Sequence, residues 1–76
     1  MRELVEIITK ALVDKPECVE VREVQGEQSL ILELKVASED MGKVIGKQGR
    51  IAKAIRTVVK AAAAKENKRV MLEIIQ

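Results

Sequence analysis

The sequence contains no phenylalanine, tryptophan, tyrosine or histidine. Without histidine there is no side chain that ordinarily titrates near neutrality, and the commonest metal ligand is missing. The single cysteine, Cys18, cannot build a thiolate metal site or an internal disulfide, so no metal or cofactor is expected and the cytoplasm is the natural compartment. Cys18 itself reads as a partly buried strand residue, with no neighbour to support a redox role. Long apolar runs are also absent. None is long enough to span a bilayer, and the opening Met1-Arg2-Glu3-Leu4-Val5-Glu6 places acids where a signal peptide needs unbroken apolar residues.

What is present fits one small domain over residues 1–76, with no repeat, linker or low-complexity stretch to mark a second. Such a chain is near the lower size limit at which a hydrophobic core suffices without metal or disulfides, and a deep enzymatic cleft is not expected. Composition is 47% hydrophobic and 34% charged, and the net charge is only +2. The charge is divided by position, however. Residues 1–40 hold 5 basic and 10 acidic side chains, whereas residues 41–76 hold 9 basic and 2 acidic. From Met41 to Lys65 there is no acid, and Lys43, Lys47, Arg50, Lys53, Arg56, Lys60 and Lys65 recur at helical spacing. A basic run of this kind is either a solvated helix face or an electrostatic footprint for a polyanion.

Apolar periodicity predicts a first helix over residues 2 to about 14, with Leu4, Ile8, Ala11 and Leu12 on one stripe widened by Val5 and Ile7. Asp14-Lys15-Pro16 ends it, because the residue before proline is disfavoured in the helical region. Val19 and Val21 then share one strand face and Cys18, Glu20, Arg22 and Val24 the other. Gln25-Gly26-Glu27-Gln28 is read as a hairpin turn. In the second strand Leu30, Leu32, Leu34 and Val36 alternate with Ile31, Glu33 and Lys35. Ser38 is a candidate N-cap for a short helix carrying Met41, Val44 and Ile45, with Glu39 and Asp40 suited to its positive end. A third helix from about Arg50 to Lys65 is expected to bury Ile51, Ile55, Val58, Val59 and Ala62 and to expose Lys53, Arg56 and Lys60. The alanines from 61 to 64 mean either close packing or simply high helix propensity. A polar loop at Glu66-Asn67-Lys68 leads to a last strand, with Val70, Leu72 and Ile74 alternating with Met71, Glu73 and Ile75. A hairpin followed by a two-helix crossover yields an α+β fold, order α-β-β-α-α-β, with a three-stranded mixed sheet and helices packed on one face.

Between the last two helices, Gly46 and Gly49 interrupt what would otherwise be one amphipathic basic helix. A mid-helix glycine costs about 1 kcal/mol against alanine, so a pair enclosing polar Lys47 and Gln48 reads as a break joining two helices. Missing β-carbons let an anionic chain approach the backbone, the next helix presents its N-terminus, and Lys47 and Arg50 supply charge. The string Val44-Ile45-Gly46-Lys47-Gln48-Gly49-Arg50-Ile51, with Ile55 beyond, resembles the KH domain signature. Almost the whole chain resembles the small bacterial RNA-binding proteins that consist of a single KH domain.

The resemblance implies a type II KH arrangement whose GXXG loop grips about four nucleotides of single-stranded RNA. It puts RNA-binding residues at Gly46, Lys47, Gln48, Gly49 and Arg50, with Lys43, Lys53 and Arg56 at the periphery. Bases are expected along a groove between the two helices and the second strand. Ile45 is either a base contact there or an ordinary core isoleucine. It further implies RNA chaperone or post-transcriptional roles tied to cell elongation and envelope growth, and association as a homodimer or with a larger KH-domain partner. Without aromatic stacking, which contributes ~1–3 kcal/mol per base in many single-strand binders, monomer binding is expected to be modest and tolerant of sequence. Exposed Val24, Ile31, Met71 and Ile75 on the sheet face away from the helices are one candidate association surface, and the GXXG side is another. Single-stranded DNA and a protein adaptor with little RNA affinity are the rival binding classes. A P-loop enzyme is excluded by spacing: Gly42 and Gly46 are separated by three residues where four are needed, and Gln48 stands where magnesium requires Ser or Thr.

Overall fold

The computed structural model describes residues 1–75. In chain order it contains α1 (Arg2–Leu12), β1 (Glu20–Gln25), β2 (Ser29–Lys35), α2 (Met41–Ile45), α3 (Arg50–Lys65) and β3 (Arg69–Ile75), with single 3-10 turns at Pro16–Cys18, Ser38–Asp40 and Lys47–Gly49. The sheet order is β1-β2-β3. β1 pairs antiparallel with β2 through Val21↔Leu34 and Val24↔Ile31, and β2 pairs parallel with β3 through Leu32↔Leu72 and Leu34↔Ile74. The mixed α+β sheet and element order expected from the sequence are present.

One sheet face carries the core. Val21, Leu32, Leu34, Val70 and Leu72 pack with Val5 of α1, Val44 of α2 and Ile55, Val59 and Ala63 of α3. The alternation in β2 and β3 forces this, since every second side chain points at the helices. The opposite face is wet, and Val24 and Met71 are exposed on it as expected.

Several local expectations change. α1 stops at Leu12, with extended Val13 as its cap, and it buries Val5 and Thr9 while Ile7, Ala11 and Leu12 are exposed. The apolar residues of α1 share one broad arc, and it is the edge of that arc carrying Val5, continued by Thr9, that meets the core and not its centre. Thr9 is fully buried without a partner for its hydroxyl. Cys18 lies exposed in the Pro16–Cys18 turn, two residues before the strand begins, and not partly buried within it. Ser38 caps nothing. Its Oγ donates to Glu39 Oε1 at 3.2 Å, and the chain enters α2 through a 3-10 turn.

α3 has the predicted ends, Arg50 and Lys65. Val58 is exposed and Ala62 half-buried, while Ala52 and Ala63 are buried. Of the four alanines from 61 to 64, Ala63 is the one buried in the core, so packing explains one and propensity the rest. The helix closes with Asn67 at φ 55°, where Asn67 N–H donates to Ala64 O (3.2 Å) and Lys68 N–H to Ala63 O (3.0 Å). This is the paired C-terminal motif that asparagine tolerates in the left-handed region. It reverses the chain sharply into β3.

Candidate nucleic-acid interface

The Gly46–Gly49 loop joins α2 to α3 with three of its four residues at positive φ. Gly46 adopts φ 76°, ψ 175°, a conformation essentially confined to glycine, and Gln48 and Gly49 are left-handed at φ 58° and 73°. The two glycines have different reasons. A β-carbon on Gly46 would lie 2.5 Å from Ile51 Cγ1, so the loop folds directly over α3's first turn. At Gly49 a β-carbon would meet nothing within 4 Å, which leaves backbone open to an approaching ligand. Gly46 N–H donates to Gly42 O (2.9 Å) and Gly49 N–H to Gly46 O (3.2 Å), holding the turn closed.

Lys47 and Gln48 project into solvent, and Arg50 Nη2 donates to Gln48 Oε1 at 3.3 Å across the loop. Among the described residues no side chain caps α3, and exposed Lys47 and Arg50 flank its N-terminal end. The structure therefore brings Gly46, Lys47, Gln48, Gly49 and Arg50 together at one surface. Ile45 is 38% exposed at the end of α2, which rules out an ordinary core isoleucine.

The peripheral cations separate. Lys43 is ion-paired to Asp14 and lies 3.9 Å from Asp40 Oδ1. Its pKa is raised, chiefly by the hydrogen bond to Asp14, and it serves as a structural strut more than a free phosphate contact. Beneath it, Asp40 is 1% exposed and accepts the backbone N–H groups of Asp14 (3.2 Å) and Lys15 (3.1 Å). This carboxylate ties the end of α1 to the start of α2, and hence to the loop. The sequence shows Asp40 only as an acid near a helix start, and no local signal reveals a partner 25 or 26 residues away.

Lys53, Arg56 and Lys60 form an i, i+3, i+7 row along α3. Arg56 Nε donates to Leu72 O of β3 at 3.3 Å, bridging the two elements. A cleft between α3 and β3 is lined there by Arg56, Val59, Lys60, Val70 and Met71. The strand bordering α3's basic side is thus β3, at the sheet edge. On α3's other side, Ile8 and Leu12 of α1 with Ile51, Ala54, Ile55 and Val58 form a shallow apolar groove that Arg50 also lines. Among the described residues, Lys47, Arg50, Lys53, Arg56, Lys60, Lys68 and Arg69 take part in no ion pair, whereas Arg2, Lys15, Arg22 and Lys43 do.

With this geometry in place, comparison with known proteins is decisive. The family model described as KhpA/KhpB, KH domain, matches residues 2–74. The chain belongs to that family. The KhpA/KhpB assignment agrees with the glycine-broken loop and with the element order. Similar proteins include one named RNA-binding protein KhpA from Clostridium perfringens, 80% identical over 75 residues that cover 99% of this chain and 100% of that protein. A protein of the same name from Clostridium acetobutylicum is 76% identical over the same shares, and one from Aquifex aeolicus is 47% identical over 100% of this chain and 96% of its own. The name these KhpA proteins carry is that of a binding protein, not an enzyme. No solved structure matches the chain significantly. Among the described residues no group of acids and cysteine could hold a metal ion, and no helix is long and apolar enough to cross a membrane.

Proposed function

We propose that the chain binds single-stranded RNA, with about four nucleotides gripped at Gly46–Gly49. The observation that carries this reading is the loop itself. Three positive-φ positions among four, Gly46, Gln48 and Gly49, build an open turn before a helix N-terminus without a side-chain cap, beside Lys47 and Arg50, which take part in no ion pair among the described residues. Phosphates meet the loop, Lys47 and Arg50, and bases lie toward Ile45 and the cleft between α3 and β3. Arg56 and Lys53 then act along the cleft rim, and Lys43 acts through the fold. Because no aromatic is available for stacking, affinity comes from phosphate contacts and aliphatic packing, and it is modest, salt-sensitive and broadly tolerant of sequence. The relatives' name supports RNA as the ligand. RNA chaperoning or post-transcriptional control in the cytoplasm, with consequences for cell elongation and envelope growth, is part of this proposal on family resemblance alone.

A second reading, as a protein-association module, is favoured by one observation. Val58 is 45% exposed and Leu12 and Ile51 line the same apolar groove on the face of α3 away from the basic cleft. Association of a second copy or a larger KH-domain protein of the KhpB kind there meets Arg50 at the groove's end but none of Gly46–Gly49, which do not line it. It raises apparent RNA affinity through a second binding surface without adding contacts to the first. Replacing Lys47 and Gln48 by aspartate tests the RNA reading: binding of labelled RNA should fall at least tenfold while the fold is retained.

A further inference from the structure

The basic side of α3 continues well past the reach of the loop. From Gly49 to Lys60 the helix rises about 16 Å, a length that four to five nucleotides cover at the ~3.4 Å spacing of a stacked strand. There the cleft between α3 and β3 widens into a second one lined by Lys60, Ala63, Lys68, Arg69, Val70 and Met71. The two clefts share Lys60, Val70 and Met71, so they form one continuous channel. None of Lys60, Lys68 and Arg69 is ion-paired among the described residues. Lys68 is also fixed in place, because its backbone N–H closes the helix-ending motif on Ala63 O at 3.0 Å. Past this point the surface changes sign. The next cleft, at the hairpin end, sets Glu23 and Glu27 beside Lys68 and Arg69, which repels a polyanion and bounds its path.

We propose that Lys60, Lys68 and Arg69 form a second phosphate-binding station, which extends the footprint of the bound strand from about four nucleotides to about seven. The proposal rests on the RNA reading of the Gly46–Gly49 loop and extends it. Three cations, Lys60 in the second half of α3, Lys68 in the turn after it and Arg69 at the start of β3, line the cleft with Ala63 and Val70 and take the phosphates of nucleotides that have passed the loop. The contacts carry no base code, so the station adds affinity and salt dependence without sequence preference.

The test uses oligouridylates of four and eight nucleotides, titrated into the nitrogen-15-labelled wild type and a Lys68→Gln/Arg69→Gln variant, which leaves Lys60 of the first cleft in place, and followed by NMR. An eight-mer offers five registers to a four-nucleotide site, so about a fivefold gain arises from counting alone. The wild type should gain about fiftyfold or more from four to eight nucleotides, and the variant should fall back to the counting value with its four-mer affinity unchanged. The salt slope of eight-mer binding should drop by about 1.4 in the variant, at ~0.7 per lost phosphate contact. An equal length gain in both proteins overturns the station, as does a variant that loses four-mer and eight-mer binding alike while folded. Absence of four-mer shifts at residues 46–50 in the wild type overturns the loop reading itself and the station with it.

Discussion

Gly46 and Gly49 look equivalent in the sequence, but they carry different burdens. Gly46 combines a glycine-only conformation with a β-carbon position 2.5 Å from Ile51, whereas Gly49 is left-handed in open space. Gly49→Ala should cost about 1 kcal/mol of stability, the penalty of a left-handed alanine, and leave the fold intact. Gly46→Ala adds a collision to the strain and should cost several times more, about 3 kcal/mol or above. Urea denaturation followed by circular dichroism checks the ranking, and equal costs would contradict it. Gln48 is also left-handed, which aspartate tolerates, so replacing Lys47 and Gln48 by aspartate changes charge with little added strain.

At the scale of elements, α2 is only five residues long and depends on its tethers. The firmest is buried Asp40, which receives two backbone N–H groups from the segment after α1. Asp40→Ala should lower stability by about 2 kcal/mol, because both amides lose a charged acceptor. Lys43→Ala removes only a partly exposed ion-pair partner and should cost no more than about 1 kcal/mol. Denaturation curves giving the reverse order would remove Asp40 as the tether. The contrast also shows what could be read from the chain. β2 and β3 were legible because strict alternation faces a single core, and α3's bounds were legible because a glycine precedes it and a polar loop follows. α1's buried face was not, since the core meets the edge of its apolar arc at Val5 and a threonine, Thr9, takes a core position. Asp40's role and the diversion of Lys43 were invisible because both depend on contacts across more than twenty residues. Of the candidate site residues, the loop set was marked by a local pattern of glycine and charge, while the strand bordering α3's basic side depended on sheet order.

At the scale of the molecule, charge is segregated: among the described residues four cations are paired to acids, and the cations of the loop, α3 and the start of β3 take part in no ion pair. The same pattern predicts an unusually flat pH response. Glu39 has its pKa lowered, first by the hydrogen bond from Lys15, so its stabilising contribution is present above the ordinary carboxylate value of ~4.3 and is lost as pH falls through the lowered pKa. Lys15 and Lys43 have theirs raised, first by hydrogen bonds to Glu39 and Asp14, so their contributions are present below ~10.4 and are lost as pH rises through the raised values. All three are exposed and the effects small, and there is no histidine between them. The thermal midpoint should therefore stay constant within a few degrees from about pH 6 to 8.5, and a larger drift would contradict this assignment. The central claim, that RNA lies on the Gly46–Gly49 loop, is tested most directly by binding of a fluorescent single-stranded RNA across a salt series. Wild type is compared with Lys47→Asp/Gln48→Asp, and circular dichroism confirms both folds. The account predicts a folded variant with binding weakened at least tenfold and a salt slope reduced by ~0.7 or more. Unchanged affinity and slope in the folded variant would contradict it.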